Sequence, residues 1–505
     1  DIYGFRHLMS AIAGWLTILV TALLAVWCYG YGAGITVVLL FLMSPTFMGH
    51  AQNNLKDIPF ALGYISGIFF SLRFFYSRKE ISLTTTFLLV ISLALAMSIR
   101  AGGMLLLCYL GLLYVSYYGM RFLRHDEINR NELIVRLVGV ISAGMISFCL
   151  SILLWPYALQ KPVSNVLEAF RKMSDFPATF RLIFEGKMEW SDYMPWYYLL
   201  KSMAITIPLI ISTGLLLFVV FSRKIFKSEN CLKMAFIAFS VLFPVAYVII
   251  KGSNLYSSWR QFLFVYPSIV LLSACGLIWL FRNYLDKYGI VIKLLAASII
   301  IFLSIHPVKY MAVNPSFWYI YYNQFVGGIN GAFSNYETDY YFVSHTKACE
   351  WLTRHLQING DTSDIVVTAD YSVSWQFRKF KGIHATYSRY EERSFSDWDY
   401  AIVTSRYLTP YQLKNQLWPP SNSIHVVYSD SVPLCAVLKR ISKNDYYGYL
   451  ALNEGRFCDA VKYLASAIEK DKNDEMIFFN LAAAFSRNGQ PEKADSILKK
   501  ALLVN

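Results

Sequence analysis

Through residue 306 the chain alternates apolar runs of roughly 20 residues, the length that crosses a bilayer as a helix, with short polar connectors. Ten such spans are predicted, near 10–28, 31–47, 58–75, 81–99, 102–120, 134–155, 198–221, 233–250, 261–281 and 289–306. Beyond 306 the pattern changes. "HTKACEWLTRHL" has helical spacing, with Ala348, Trp351, Leu352 and His355 near one face. "SDIVVTAD" and "WDYAIVTS" read as short strands, and "IHVVYSD" with "PLCAVLKR" as a terminal hairpin. The order helix, strand, strand, helix, hairpin predicts an α/β domain over 307–445. It contains neither a GxGxxG nor a P-loop, so a structural or acceptor-docking role is expected of it.

The last sixty residues repeat at a period of 34. Gly455 pairs with Gly489, Ala460 with Ala494, Leu464 with Leu498 and Ala467 with Ala501, while Leu481, Ala482 and Phe485 fill first-helix positions of the second unit. The pattern resembles tetratricopeptide repeats, whose small residues let paired helices pack closely. The usual proline at the repeat end is Lys472 here. Two units fall short of the roughly three usually needed, so docking against the α/β domain and binding of a protein partner are both open.

Composition places most of the chain in lipid: of 505 residues 56% are hydrophobic, 17% aromatic and 16% charged, against about 25% charged in a soluble domain. The net charge of +13 does not point to nucleic acid, because the basic residues gather in alternate short loops. These hold Arg73, Arg78 and Lys79; Arg121, Arg124, Arg130 and Arg136; Arg223, Lys224, Lys227 and Lys233; and Arg282, Lys287 and Lys293. Such loops are expected to be cytoplasmic. That puts Ser44–Phe60, the 156–197 loop and everything after 307 outside, with Trp155, Tyr157, Trp190, Trp196, Tyr197 and Tyr198 as an interfacial belt. The expected fold class is therefore an α-helical polytopic membrane protein with an extracytoplasmic α/β domain and a tetratricopeptide helical hairpin pair. Its expected divisions are 1–306, 307–445 and 446–505, and its expected place is the inner membrane. Asp1 opens the chain without a methionine, so an earlier span and external loop are expected upstream.

Five of the eight cysteines (Cys28, Cys108, Cys149, Cys231, Cys275) fall in or beside spans. Cys349, Cys435 and Cys458 are an odd external set without zinc spacing, and a disulfide between two of them is possible in an oxidising compartment.

Three external segments carry cations at one membrane level. "GHAQNNLKDIPF" crowds His50, Asn53, Asn54, Lys56 and Asp57 before a helix start, where anions are favoured. "SIRAGGMLLL" places Arg100 at a helix end and "SWRQFLFVYPSIVLLSACGL" places Arg260 before a helix start. Charge at membrane depth is costly and tends to be functional, and guanidinium matches phosphate oxygens geometrically.

In order, "RHL", "SPTFMGHAQNNLKDIPFALGYI", "SIRAGGMLLL" and "SWRQFLFVYPSIVLLSACGL" resemble integral-membrane C-type glycosyltransferases near the protein O-mannosyltransferase and lipid A aminoarabinose transferase branch. The segment "YYNQFVGGINGAFSNYETDYY" resembles the junction to the external domain of bacterial members. The resemblance covers about residues 1–440. It implies an inverting transferase that moves a sugar from a polyprenyl-phosphate donor to a protein, lipid or glycan acceptor. The family's principal base would precede Asp1. Asp57 matches its second acidic position, which orients a divalent ion, the phosphate or the acceptor. His50, Asn53, Asn54 and Lys56 would line the same cavity, and Arg100 and Arg260 would hold the leaving phosphate. Arg6 and His7 resemble the entry to the family's second helix. Two other classes remain: a secondary transporter, which would more often show inverted repeats and broken helices, and a membrane-anchored scaffold presenting the repeats.

Overall fold

The computed structural model describes residues 2–76, 82–174, 176–226, 230–284, 287–358, 364–472 and 474–502; Asp1, Arg78, Lys79 and Lys227 lie outside the described residues. The chain forms two compact units, Asp1–Phe180 with Ser191–Phe325, and Arg181–Trp190 with Val326–Asn505.

The first unit is helical. It comprises α1 (Ile2–Tyr29), α2 (Tyr31–Leu42), α3 (Pro45–Asn53), α4 (Asp57–Tyr76), α5 (Leu83–Ile99), a 3-10 turn over Ala101–Met104 leading into α6 (Leu105–Leu123), α7 (Arg130–Leu153), and the short α8 (Pro156–Gln160) and α9 (Ser164–Ser174). After the segment belonging to the other unit, which holds β1 (Arg181–Phe184) and β2 (Lys187–Trp190), come α10 (Tyr198–Thr206), α11 (Leu209–Ile225) and α12 (Cys231–Lys251). A 3-10 turn over Arg260–Val265 then enters α13 (Tyr266–Asn283), and α14 (Ile290–Val313) follows. Among the described residues, seven helices are long and apolar enough to cross a membrane, or up to nine if each bent pair is one span; α5 is a shorter apolar helix. Among the described residues all ten apolar runs are largely helical, but two are not straight. The run predicted at 31–47 bends by 71° between α2 and α3, and that at 198–221 by 118° between α10 and α11. Each break falls at a residue preceding proline, where the α conformation is disfavoured and a backbone donor is lost: Ser44 at φ −110° before Pro45, and Ile207 in extended conformation before Pro208. The segment Ser44–Phe60, expected as a polar connector, is mostly helix α3, with only Asn54, Leu55 and Lys56 between it and α4. The expected boundary at 306 lies inside α14, and Trp190 of the expected aromatic belt ends β2 in the other unit.

Among the long apolar helices α4 and α13 are the most enclosed, and α7 and α14 the least. Helix α4, at 20 residues, is about 30 Å long. Its two ends therefore mark two ends of the bundle. At the Tyr76 end, Lys233 lies 4.0 Å from the Trp27 ring and 4.7 Å from Tyr76, Arg73 lies over Trp27, and Arg282 donates to Tyr29 O at 3.3 Å. Arg136 donates to Phe74 O. The cations of four connectors thus converge where α4 and α13 end. At the opposite end, α3 lies flush against the Trp318–Ile320 turn because Gly49 carries no side chain: a Cβ there would be 2.8 Å from the Trp318 carbonyl carbon.

The second unit holds a five-stranded sheet of order β4-β3-β5-β7-β6. Its helices and strands are α15 (Gly328–Ala332), α16 (Val343–Ile358), β3 (Ile365–Ala369), α17 (Ser374–Phe377), β4 (Ile383–Tyr387), β5 (Tyr400–Thr404), α18 (Pro410–Lys414), β6 (Ser423–Ser429) and β7 (Val432–Lys439). Strand β3 is parallel to both β4 and β5, whereas β7 is antiparallel to β5 and β6. Four strands coincide with sequence expectations. Strand β4 was not expected: "IHATY" is an edge strand with an exposed, polar-rich pattern, so it lacks the apolar run that marks a buried strand. The antiparallel β1–β2 hairpin, buried in the loop reading of 156–197, belongs to this unit and bridges from Phe184 to Tyr336. Cys349 and Cys435 are buried free thiols and Cys458 an exposed one.

Helices α19 (Asn444–Asn453), α20 (Phe457–Lys470), α21 (Glu475–Arg487) and α22 (Pro491–Ala501) form two hairpins. Gly455 and Gly489, one period apart, both take φ +76°, and Ala460, Leu464, Ala467, Leu481 and Ala501 are buried between the helices. The expected boundary at 445 falls inside α19. Around it, Arg393 binds the hairpins to the sheet layer: its Nε and Nη2 lie 3.4 Å from Asp474 and Asp471, Ser394 Oγ donates to Asp474 at 2.7 Å, and the Tyr390 ring lies 3.9 Å from the guanidinium.

Burial, only partly offset by Arg393, pushes the Asp474 carboxyl up to about 6 from 3.8. A raised folded-state value means that ionisation opposes folding. The stability this carboxyl contributes is full below its unfolded value and is lost as pH rises through 6. Burial raises Asp445 and Glu475 as well, with the same sign. Amides of α20 and α21 are expected to be better protected from hydrogen exchange at pH 5 than at pH 7.5, after correction for intrinsic rates. Asp474→Asn should flatten that difference; greater protection at pH 7.5 would contradict it.

Candidate functional site

The site begins with the cap between α3 and α4. Asn54 ends α3, its N–H donating to His50 O at 2.7 Å. Its Oδ1 accepts the N–H groups of Lys56 and Asp57 at 3.2 and 2.8 Å, which closes the turn and starts α4. Its Nδ2 then donates to Asp57 Oδ2 at 2.6 Å and approaches His50 Nδ1 at 3.4 Å. Ser10 on α1 fastens the same residue by donating to Asn54 O at 3.0 Å. Asp57 is thereby held at the positive end of α4, where a carboxylate is stabilised.

Arg100 ends α5 in extended conformation and donates from Nη2 to Asp57 Oδ1, so both carboxylate oxygens are engaged. The pair is well enclosed, with side chains 6% and 20% exposed for Asp57 and Arg100. The guanidinium also lies 5.9 Å from the Phe60 ring. Gly103, just beyond, lets the 3-10 turn press on α5: a Cβ there would be 2.5 Å from Met97 N. Arg260 opens the other 3-10 turn, its guanidinium 5.2 Å from the Tyr256 ring. Its neighbour Trp259 is buried and donates to Thr206 Oγ1 at 2.5 Å, which anchors that turn to α10. Lys56 feels all of this: partial burial, then the charges of Arg100 and Arg260, hold its ammonium below the usual lysine value.

Of the residues singled out in the sequence, Asn54, Asp57 and Arg100 are in direct contact, and Lys56 and Arg260 join them through charge. His50 is buried beside Asn54 and also feels Arg260. Asn53 does not join this network by its amide, which turns back on its own helix and donates to Gly49 O at 3.1 Å. His7 Nδ1 lies 2.6 Å from Gln52 O and ties the start of α1 to α3, while Arg6 stacks over Tyr3.

Other contributors were not foreseen. Ser10 and Trp259 set the two anchors. The end of α9 and the segment after it bridge the cation-bearing turns: Asn254 donates to Phe176 O and Ala178 O at 3.2 and 2.9 Å, Phe180 packs 4.6 Å from Tyr256, and a Cβ on Gly102 would meet Met173 of α9 at 3.3 Å. Aromatic residues in a long loop are the only sequence signal for it. Among the described residues, no three His, Cys, Asp or Glu side chains gather as a metal-binding group.

No protein-family model matches the chain, and no curated protein does. Among solved structures it is similar to ArnT from Cupriavidus metallidurans in the apo state, at 12% identity and a TM-score of 0.42, covering 85% of this chain and 83% of that one. It is similar also to ArnT from Cupriavidus metallidurans bound to undecaprenyl phosphate, at 12% identity and a TM-score of 0.43, covering 86% and 83%.

Proposed function

We propose that this chain is an integral-membrane glycosyltransferase of the C type that takes its sugar from a polyprenyl-phosphate donor. The observation that carries this reading is the enclosed Arg100–Asp57 ion pair at the start of α4, at the bundle end opposite the connector cations, with Lys56 adjoining Asp57 in the chain and in the field of Arg100 and Arg260. The sequence motifs that resemble the family are the segments that build this site.

In the proposed reaction an acceptor hydroxyl oxygen bonds to the anomeric carbon as the bond to the phosphate oxygen breaks. The phosphate leaves with the electron pair, and the hydroxyl proton passes to a base. Arg100, Arg260 and Lys56 stabilise charge growing on the phosphate, commonly a large part of catalysis. Asp57 serves as a positioning group: it orients Arg100 and is itself oriented by Asn54. Phe176, Phe180 and Tyr256 screen the Arg260 side from water. The site faces the extracytoplasmic compartment in this proposal, because the connector cations mark the cytoplasmic end. The paired hairpins act as tetratricopeptide-like repeats.

The test is the full chain in nanodiscs with undecaprenyl phosphate and with radiolabelled polyprenyl-phosphate sugars. Salt-sensitive binding of the lipid phosphate and transfer of label to water-soluble or lipid acceptors are expected. The bent α2–α3 and α10–α11 pairs are a feature that transporters share. Solute uptake into proteoliposomes, with neither lipid-phosphate binding nor transfer, would replace the proposal with that reading.

A further inference from the structure

The second unit carries a site independent of Asp57. Strand β3 comes first in the chain, its connection through α17 leads to β4 on one side, and the chain then crosses to β5 on the other. The carboxyl ends of β3 and β5 therefore flank a switch point, the place where open α/β sheets bind ligands.

The residues there form an aromatic cluster around a buried polar pair. Asp370, directly after β3, accepts the Thr404 N–H at 2.9 Å and lies 2.7 Å from His345 Nε2 on α16; the His345 and Asp370 side chains are each 1% exposed. Among the described residues, His345 Nδ1 and Ser405 Oγ are buried without a hydrogen-bond partner. Such atoms are rare in proteins and call for an explanation. Phe342 is held at φ +55°, uncommon for a bulky side chain, by the cap that Asp339 makes on the next turn, accepting the Val343 and Ser344 N–H groups at 3.0 and 2.9 Å. From there its ring stacks on Tyr371 at 4.0 Å and 7° and lies 5.4 Å from His345. Tyr371 is 47% and Tyr407 44% exposed. Arg406 lies over both Phe342 and Tyr407 and is paired with Glu337 at 3.2 Å.

We propose that this edge, formed by Tyr371, Tyr407, Arg406, Ser405 and the His345–Asp370 pair, binds a neutral saccharide. The half-exposed rings of Tyr371 and Tyr407 offer apolar area with a polar tip, suited to the C–H face of a sugar ring, and their hydroxyls with the Arg406 guanidinium suit its oxygens. A nucleotide fits poorly: Asp370–Ser374 has no glycine to let a pyrophosphate approach the backbone. The Glu337 pairing of Arg406 favours an uncharged ligand over an anion.

The experiment is saturation-transfer NMR on the full chain in nanodiscs, with methyl glycosides of glucose, mannose, galactose and arabinose as probes. At least one is expected to bind, with saturation strongest on ring protons. Tyr371→Ala and Tyr407→Ala should each weaken it about three- to tenfold with melting unchanged, and Asp57→Asn should leave it unaffected, which separates this site from the proposed transferase centre. Saturation of none of the four probes overturns the proposal. So does binding of equal strength in folded Tyr371→Ala and Tyr407→Ala variants. If Tyr371→Ala does not fold, Tyr407→Ala alone decides.

Discussion

Asp57→Asn is expected to lower sugar transfer by about a hundredfold or more while the protein still folds. The amide can still accept from Asn54 but no longer holds Arg100, whose side chain is 20% exposed and can turn towards water. Losing that charge-assisted bond costs roughly 1.5–3 kcal/mol of stability at most. The larger effect is on rate, because displacement of a group by about 1 Å at a reacting centre can cost about a hundredfold. Arg100→Ala and Arg260→Ala should instead weaken binding of the lipid phosphate roughly ten- to a hundredfold each. A double variant, Asp57→Asn with Arg100→Gln, separates site from scaffold. If the ion pair only braces α4 against α5, removing both charges restores melting and activity together. The proposed role requires that melting recovers while transfer does not. Turnover, lipid-phosphate binding and thermal melting of the unmutated protein and the four variants in nanodiscs decide between these outcomes.

Arg393→Ala is expected to be the most destabilising single change in the second unit, by about 3–5 kcal/mol. It leaves Asp474, with a side chain 1% exposed, and Asp471 facing each other without the buried guanidinium, and it empties the space over Tyr390. The same change should steepen the loss of protection in α20 and α21 as pH rises, since Arg393 is what holds the Asp474 carboxyl down against burial. Replacing Arg393, Asp471 and Asp474 together by Met, Asn and Leu should recover much of the loss, as apolar replacement of buried ion pairs often does. Hydrogen exchange resolved by peptide is the measurement. Near-native protection of α20 and α21 in Arg393→Ala would show that the hairpins are held by apolar contacts alone.

Much of the architecture was legible because it rests on one-dimensional signals. Apolar length marked all ten helical runs of the first unit, since lipid requires every backbone group to be satisfied within the segment. Period-34 glycines marked the repeat turns, since left-handed φ values at Gly455 and Gly489 favour a residue without Cβ. Apolar runs marked β3, β5, β6 and β7, which the sheet buries on at least one face. Edge strand β4 carried no such signal, and the β1–β2 hairpin is too short to stand out from the loop around it.

For the candidate site, the sequence by itself determined which residue types could serve: a carboxylate beside a helix start and cations at three helix ends. Tertiary structure decided how they combine. Arg100 and Asp57 lie 43 positions apart, and only the packing of α4 on α5 makes them an ion pair. From the sequence Asn54 is expected only to line the cavity with His50, Asn53 and Lys56, yet its three hydrogen bonds to Lys56 and Asp57 give Asp57 its orientation. Likewise Asn53 adjoins Asn54 in the chain, but the end of α3 turns its amide back on Gly49. Helix length and amphipathic pattern are set by local composition. Contact between helix ends depends on where prolines bend the chain and where glycines let backbones touch, and those are properties of the packed fold.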